Sequence, residues 1–508
     1  MLMRAIHPKL ARFFHVIEAE RANGYLARWV FLRVLGAIYL IAFVSLWTQI
    51  QGLIGTHGIL PITDHLKAVS EQLGMERFWW VPTFCWFSSS DAFLQFQCAG
   101  GVVFSFLLVM GVAPRIAALV LWADYLSLSV ASQEFLSFQW DTLLLETGLL
   151  AVFFAPRGIL PGLSRESPPS FTVLWLLRWL LFRLMFMSGA VKLLSRDPTW
   201  WNFSALTIHY ETQPLPTWIG WCAHQLPDWF QKVSVVLMFG IELLMPWLIF
   251  CGRRARQIAA GGFTLLMLLI LLTGNYCFFN LLTMALCVLL LDDQLLARVL
   301  PARLVLSVPR SSERVRFPTF RVLGVGAMAL VIFLISVVQV AARWIGPDHE
   351  PDAFLQLVRV LSPLRSVNSY GLFSVMTTTR PEIIVEGSSD GVVWLPYEFK
   401  WKPGDLKRRP AFVEPHQPRL DWQMWFAALG SYRDNPWFIN FLERLLQGSP
   451  DVLALLEKNP FPDHPPRYAR AMLYEYHFTD PATRRQTGEW WRRDLKGVYC
   501  PTLSLRQP

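Results

Sequence analysis

Hydrophobic and polar positions along this chain alternate in blocks. Runs of about 20 mostly apolar residues, the length that crosses a hydrocarbon core, are separated by short polar connections. Nine such segments fall at 29–50, 95–112, 115–131, 141–155, 171–194, 230–251, 257–273, 276–291 and 322–342. The third, fourth and eighth are short, as befits tilted, partly re-entrant or bundle-buried helices. The pattern predicts a polytopic α-helical membrane bundle of about nine spans over residues 29–344. A basic cytoplasmic N-terminus, 1–28, precedes it and holds no apolar core of the length a cleavable signal needs.

From residue 345 the blocks give way to the mixed pattern of a soluble domain. "PEIIVEGSSDGVVWLPYEFKWKPGD" reads as a β-hairpin around a Ser-Ser-Asp-Gly turn. "NPWFINFLERLLQGSPDVLALLEKNP" reads as two short helices, each opened by a proline. "RYARAMLYEYHFTD" alternates as a further strand. Residues 345–508 are thus expected to form an extracytoplasmic α+β domain.

Composition sharpens this picture. Hydrophobic residues make up 54% of the 508 and charged ones 16%, against about 25% charged in soluble domains. The net charge of +9 suggests nucleic acid, but the basic residues are dispersed between apolar runs and no groove-reading motif accompanies them. They read as topology signals. With the N-terminus inside, the cytoplasmic connections carry Arg115, Arg157, Arg165, Arg253, Arg254, Arg256 and the arginines of 292–321. The opposite connections, 51–94, 132–140, 195–229 and 274–275, carry only Lys67, Arg77 and Arg196. That asymmetry satisfies the positive-inside rule. An odd number of spans then places everything after Trp344 in the periplasm or the lumen of the endoplasmic reticulum.

The seven cysteines form no Cys-x-x-Cys, so neither a zinc site nor a thioredoxin-like motif is expected. Cys85, Cys222 and Cys500 fall on the oxidising side, where a bridge is permitted but not paired by sequence. Charged groups inside spans are costly and mark function or packing. They are Arg33, Asp124, Asp141, Glu146, Arg178, Arg183, Lys192 and Glu242. Asp141 and Glu146 are each candidates to meet an arginine of the fifth span, in a buried charge network with Arg33, Arg178, Arg183 and Glu242. A proton pathway or head-group pocket is the alternative.

"MSGAVKLLSRDPTWWNFSALTIHYETQPLP" leaves the fifth span through Lys192 and spends rich chemistry on an apparent loop. Together with "FLRVLGAIYLIAFVSLWTQIQGLIGTHGILP", "QWDTLLLETGLLAVFFAP" and "NSYGLFSVMTTTRPEIIVEGSSDG", it resembles the lipase maturation factor family. "YEFKWKPGDLKRRPAFVEPHQPRLDWQMWFAAL" and "GEWWRRDLKGVYCP" extend the match over nearly the whole chain. The resemblance implies a multi-pass protein, of the endoplasmic reticulum membrane in animals and the plasma membrane in bacteria. For the animal members it also implies secreted lipases as clients that are helped to fold, while the clients of bacterial relatives are not implied; no cofactor is expected. A more distant similarity, Gly-x-x-Lys-Leu ending a span, links Lys192 to the vitamin K-dependent γ-carboxylase superfamily, where a lysine in this region acts as a base on a quinone. Burial that lowers a lysine's affinity for its proton would permit that chemistry; snorkelling to the interface needs none.

Trp200 and Trp201 fit an interfacial aromatic belt. His209, Tyr210, Glu211 and Gln213 do not, and are candidates either for client binding or for a lidded active site. Asn202-Phe203-Ser204 is a glycosylation sequon. In "EPHQPRLDWQMW" His416, Arg419 and Asp421 lie close together, but no Gly-x-Ser-x-Gly elbow accompanies them. A structural pairing of Asp421 with Arg419 or Arg433 is the expectation there. The leading reading is a membrane maturation factor that changes no bond. The rival is a membrane enzyme using Lys192 on a quinone or lipid.

Overall fold

The computed structural model describes residues 24–308, 319–345 and 352–505. Most of the basic N-terminus lies outside them. Each apolar block carries a helix: α1 (Tyr25–Trp47), α2 (Asp91–Met110), α3 (Pro114–Ala131), α4 (Gln139–Phe154) and α5 (Phe171–Leu194). Then come α6 (Asp228–Phe239), α7 (Arg253–Thr273), α8 (Phe279–Val288) and α9 (Thr319–Ile345). Among the described residues, seven helices are long and apolar enough to cross a membrane. The remaining two, α4 and α8, have 16 and 10 residues. Both are mostly buried by neighbouring helices, so neither has to match the bilayer thickness alone.

The sixth span is not uniformly α-helical. A π turn, Gly240–Leu244, and a 3-10 stretch, Met245–Phe250, continue α6. Pro246 lacks the N–H that would bond the Glu242 carbonyl one turn back, so a regular α ladder cannot run through here. The widened turn lies against α5 at Gly189. A Cβ on Gly189 would sit 2.9 Å from the Leu243 side chain and 3.0 Å from the Glu242 Cβ. Glycine thus sets how closely α5 and α6 approach.

In the C-terminal region, β1 (Pro381–Ser388), β2 (Leu395–Pro396), β5 (Tyr468–Phe478) and β6 (Trp491–Leu503) form an antiparallel sheet of order β2-β1-β5-β6. A two-stranded ladder joins β3 (Glu398–Phe399) to β4 (Leu456–Lys458). The helices are α10 (Asp352–Leu361), α11 (Arg419–Ala428) and α12 (Pro436–Leu446). The expected hairpin is present with a second strand of only two residues. The strand near 467–480 is β5, and the two proline-opened helices are α12 and Pro450–Leu453.

One apolar core runs from the spans into the sheet, joining Phe31, Leu144 and Leu177 to Tyr370, Ile383, Trp437 and Tyr499. Residues 366–376, soluble in composition, run back along the spans through contacts given below. All four connections expected on the far side bond the C-terminal region. Arg444 Nε donates to the Gly58 carbonyl at 2.8 Å and Gln423 Nε2 to that of Glu134 at 2.5 Å. Trp425 Nε1 donates to the Thr212 carbonyl at 3.0 Å, and Asn275 Nδ2 to that of Ala411 at 2.9 Å. At the other end of the bundle Arg28 pairs with Glu166 at 2.7 Å, and Asp293 caps the α1 N–H groups of Tyr25 and Leu26. The far-side connections therefore share one face with the C-terminal region.

Candidate functional site

Lys192 lies near the end of α5, facing the π turn of α6. Its Nζ is 2.7 and 2.9 Å from the two carboxylate oxygens of Glu242, with both side chains buried. The Trp200 ring covers the ammonium, its centroid 5.3 Å away. Trp200 is itself fixed, buried and donating from Nε1 to the Phe373 carbonyl at 3.0 Å. Asp197 locks this corner by accepting from Thr199 N at 2.8 Å and Met376 N at 2.6 Å. Burial would raise its carboxyl, but these hydrogen bonds outweigh it and hold the group below the usual carboxylate value.

Beyond Trp200 the chain is not a loop. Pro198–Trp201 and Ala205–Thr212 are short helices, and the second carries the candidate residues. His209 Nε2 is 3.2 Å from the Tyr276 hydroxyl, which donates to Gln213 Oε1 at 2.9 Å. A hydroxyl that gives its proton to Gln213 can only accept from His209, so Nε2 of the imidazole carries a proton. Burial, then the nearby Lys192 charge, pushes His209 down to about 4. Its ring meets the Phe373 ring edge-on at 4.9 Å.

Glu211 points the other way, to the sheet. It accepts from Phe478 N at 2.6 Å, and its second oxygen is 3.0 Å from His477 Nδ1, with His224 Nε2 at 3.8 Å. Tyr210 packs on the cluster of Trp221, Tyr476 and Trp491. Gln213 is buried and donates to the Thr273 carbonyl at 2.8 Å. Arg380, just before β1, gathers the exit of this helix by donating to the carbonyls of Glu211 at 2.7 Å, Gln213 and Pro214, and it pairs with Glu382 at 2.7 Å. Lys192 and Glu211 therefore lie in separate clusters, with His209 between them. Of the six pocket candidates only Trp201, 59% accessible, is exposed.

The buried charges correct the expected network, because they form separate pairs. Glu146 meets Arg183 as expected, and also accepts from the Tyr370 hydroxyl at 2.7 Å and Asn368 N at 3.1 Å. Asp141 does not meet the fifth span. It binds Arg419 of α11 through two bonds, 2.6 and 2.8 Å, and accepts from the Tyr125 hydroxyl at 2.6 Å. Arg178 donates to the Leu289 carbonyl at 3.1 Å. Arg33 stacks on the Trp29 ring at 4.1 Å. Asp421, expected to pair with an arginine, instead accepts from the backbone of Trp401 and Lys402 at 2.8 Å each. Its own cation is unnecessary because two N–H groups hold the carboxylate.

Sequence reasoning missed Arg380, Tyr276 and Asn275. Arg380 sits in "TTTRPEII", where only the following proline marks the spot. Asn275 lies in a two-residue gap between apolar runs and Tyr276 opens the next run, and nothing in their spacing tells that both meet the C-terminal region. All seven cysteines are free, with only Cys222 and Cys251 exposed. Among the described residues, no group of three or more His, Cys, Asp or Glu is arranged to hold a metal.

Residues 26–298 match the lipase maturation factor transmembrane domain and residues 366–501 the lipase maturation factor C-terminal domain. The chain is 38% identical to lipase maturation factor 2 of Gallus gallus, over 95% of this chain and 82% of that protein. It is 36% identical to lipase maturation factor 2 of Homo sapiens, covering 96% and 84% respectively. It is 35% identical to lipase maturation factor 1 of Mus musculus, covering 99% and 91%. No solved structure matches.

Proposed function

This chain belongs to the lipase maturation factor family, and on that premise we propose that it assists the folding or assembly of secreted proteins, lipases among them. It does so by binding from the extracytoplasmic side, without making or breaking a bond. The orientation rests on the arginine asymmetry and on the shared face of the far-side connections and the C-terminal region. The membrane is that of the endoplasmic reticulum in a eukaryote, or the plasma membrane in a bacterium.

The observation that carries the non-catalytic reading is the Lys192–Glu242 pair. A base must shed its proton, yet a carboxylate at 2.7 Å and an overlying indole ring both stabilise the ammonium. Trp200, His209, Tyr210, Glu211 and Gln213 act as positioning residues that tie the spans to the C-terminal region. Trp201 is the member of the set free to meet lipid or client. The test is to deplete the protein in cells secreting a lipase. Lipase should still be synthesised but be secreted with low specific activity. Unchanged lipase alongside an altered quinone or lipid pool would favour the enzyme.

A further inference from the structure

A cavity of about 260 Å³ opens between α9, α10 and the chain that follows α10. One side is apolar, formed by Ile335, Val358, Leu361 and Val367; the other is polar, with Gln339, Ser362, Asn368, Ser369 and Arg365, whose guanidinium is held by Ser129. Gln339 also lines a small adjoining void beside Arg183 and Tyr370. Its Oε1 is buried without a hydrogen-bond partner, an unfavourable arrangement if nothing fills the site.

The surroundings identify the occupant. The α9 span is peripheral, only 22% of its apolar window being buried, so the cavity lies against lipid. Val358 and Leu361 of α10 line it, while Leu355, Leu357 and Val360 are 45, 40 and 48% exposed on the helix's outer side. With Asp352, Gln356 and Arg359 exposed on the remaining face, the helix is amphipathic, the kind that lies in the plane of the membrane interface. Trp79 donates from Nε1 to the Val360 carbonyl at 3.1 Å, and Arg359 lies over the Trp80 ring at 5.7 Å. Tryptophans of this kind mark the head-group level. Arg343, at the end of α9, donates to Ser369 at 3.4 Å and so stands at the mouth.

We propose that this cavity is a site for an anionic glycerophospholipid, with an acyl segment along Ile335, Val358 and Leu361, Gln339 and Ser369 bonding the ester region, and the phosphate against Arg343. A half-turn of the Gln339 amide presents its NH2 to an ester oxygen. Arg343 supplies a charge-assisted bond that a zwitterionic head group shares less strongly.

The experiment uses the full chain in phosphatidylcholine bilayers doped with photoreactive phosphatidylglycerol carrying a diazirine on one acyl chain, with photoreactive phosphatidylcholine as the second arm. Mass spectrometry should place the phosphatidylglycerol adducts within 335–367. Val358→Trp, which fills the cavity, should cut them at least about tenfold, a loss of about 1.4 kcal/mol. Ser369→Leu, at the mouth, is the second blocking variant in case the first does not fold. Arg343→Gln should abolish the preference for phosphatidylglycerol over phosphatidylcholine. Adducts spread evenly over α6, α7 and α9 and untouched by either blocking variant would overturn the proposal, leaving a water-filled cavity only. Equal labelling by both lipids in the unmodified protein would overturn its anionic selectivity.

Discussion

Asp141 in the fourth span and Arg419 in the C-terminal region hold each other through two hydrogen bonds of 2.6 and 2.8 Å, with both side chains essentially inaccessible to water. Tyr125 donates to the same carboxylate, and the Phe135 carbonyl accepts from the same guanidinium at 3.1 Å. Even a well-bonded buried pair is not strong evidence of net stabilisation, but removing one partner strands the other. The two halves of the protein are therefore fixed to each other at a point where separation exposes an unpaired charge.

Asp141→Asn should consequently cost about 3–5 kcal/mol and reduce the amount of folded protein, as read by membrane abundance and melting in detergent. Asp141→Asn combined with Arg419→Met should recover part of that loss, because the stranded cation is gone. A variant at normal abundance and melting temperature, but without activity, would give Asp141 a chemical role instead.

Much of the bundle was legible because apolar runs of span length have few other uses, and all nine segments carry helices. The Asp141–Arg419 pairing was not, since the partners are 278 residues apart and charge spacing within a span says nothing about a different domain. Strand β6 was also hidden. It is a sheet edge whose Arg492, Arg493, Asp494, Leu495 and Lys496 are all exposed, so it lacks the alternation that marks a half-buried strand. The 198–216 stretch read as a loop because its helices are short and its apolar residues face two different partners.

Sidedness is testable with the native cysteines. Cys222, on the face shared with the C-terminal region, and Cys251, at the other end of the sixth span, are exposed, and the other five are buried. In sealed cells or correctly oriented vesicles, an impermeant maleimide on the outer side should label Cys222 alone. Cys251 should react only after permeabilisation. The reverse order would invert the proposed topology.

Stability should peak near pH 6.5. Burial pushes His209 and His416 down to about 4 from 6.5, assisted by Lys192 for the first and by Arg419 and Lys400 for the second. Between those values the unfolded chain binds protons that the folded one refuses. Their contribution is complete above about 6.5 and is lost as pH falls toward 4. Glu414 works in the opposite direction. Burial, partly offset by bonds from Tyr276 N and Asn280, pushes its carboxyl up to about 8 from 4.5. The folded chain therefore holds a proton the unfolded one has released, and that share is lost as pH rises through this window. His416→Gln should flatten the acid arm of a melting-temperature profile and Glu414→Gln the alkaline arm. A profile unchanged by both substitutions would contradict the assignment.

Gly189→Val should act through the α5–α6 approach. Its side chain would collide with Leu243 and Glu242 and draw the carboxylate away from Lys192, leaving a poorly compensated buried ammonium. Reduced folded yield is expected, with Gly189→Ala milder than Gly189→Val. Equal abundance of both variants with the unmodified protein would mean that the helices do not depend on this contact.

The central claim, that the protein works by binding with Lys192 as a charge partner, is tested most directly by Lys192→Arg. Arginine keeps the positive charge and can pair with Glu242, but it cannot give up a proton usefully near neutral pH. The measurement is the specific activity of a secreted lipase in cells whose own copy is replaced by the variant, normalised to variant abundance. Activity close to that supported by the unmodified protein is the predicted result. A variant that accumulates normally yet supports no lipase maturation would contradict the account and make Lys192 a base.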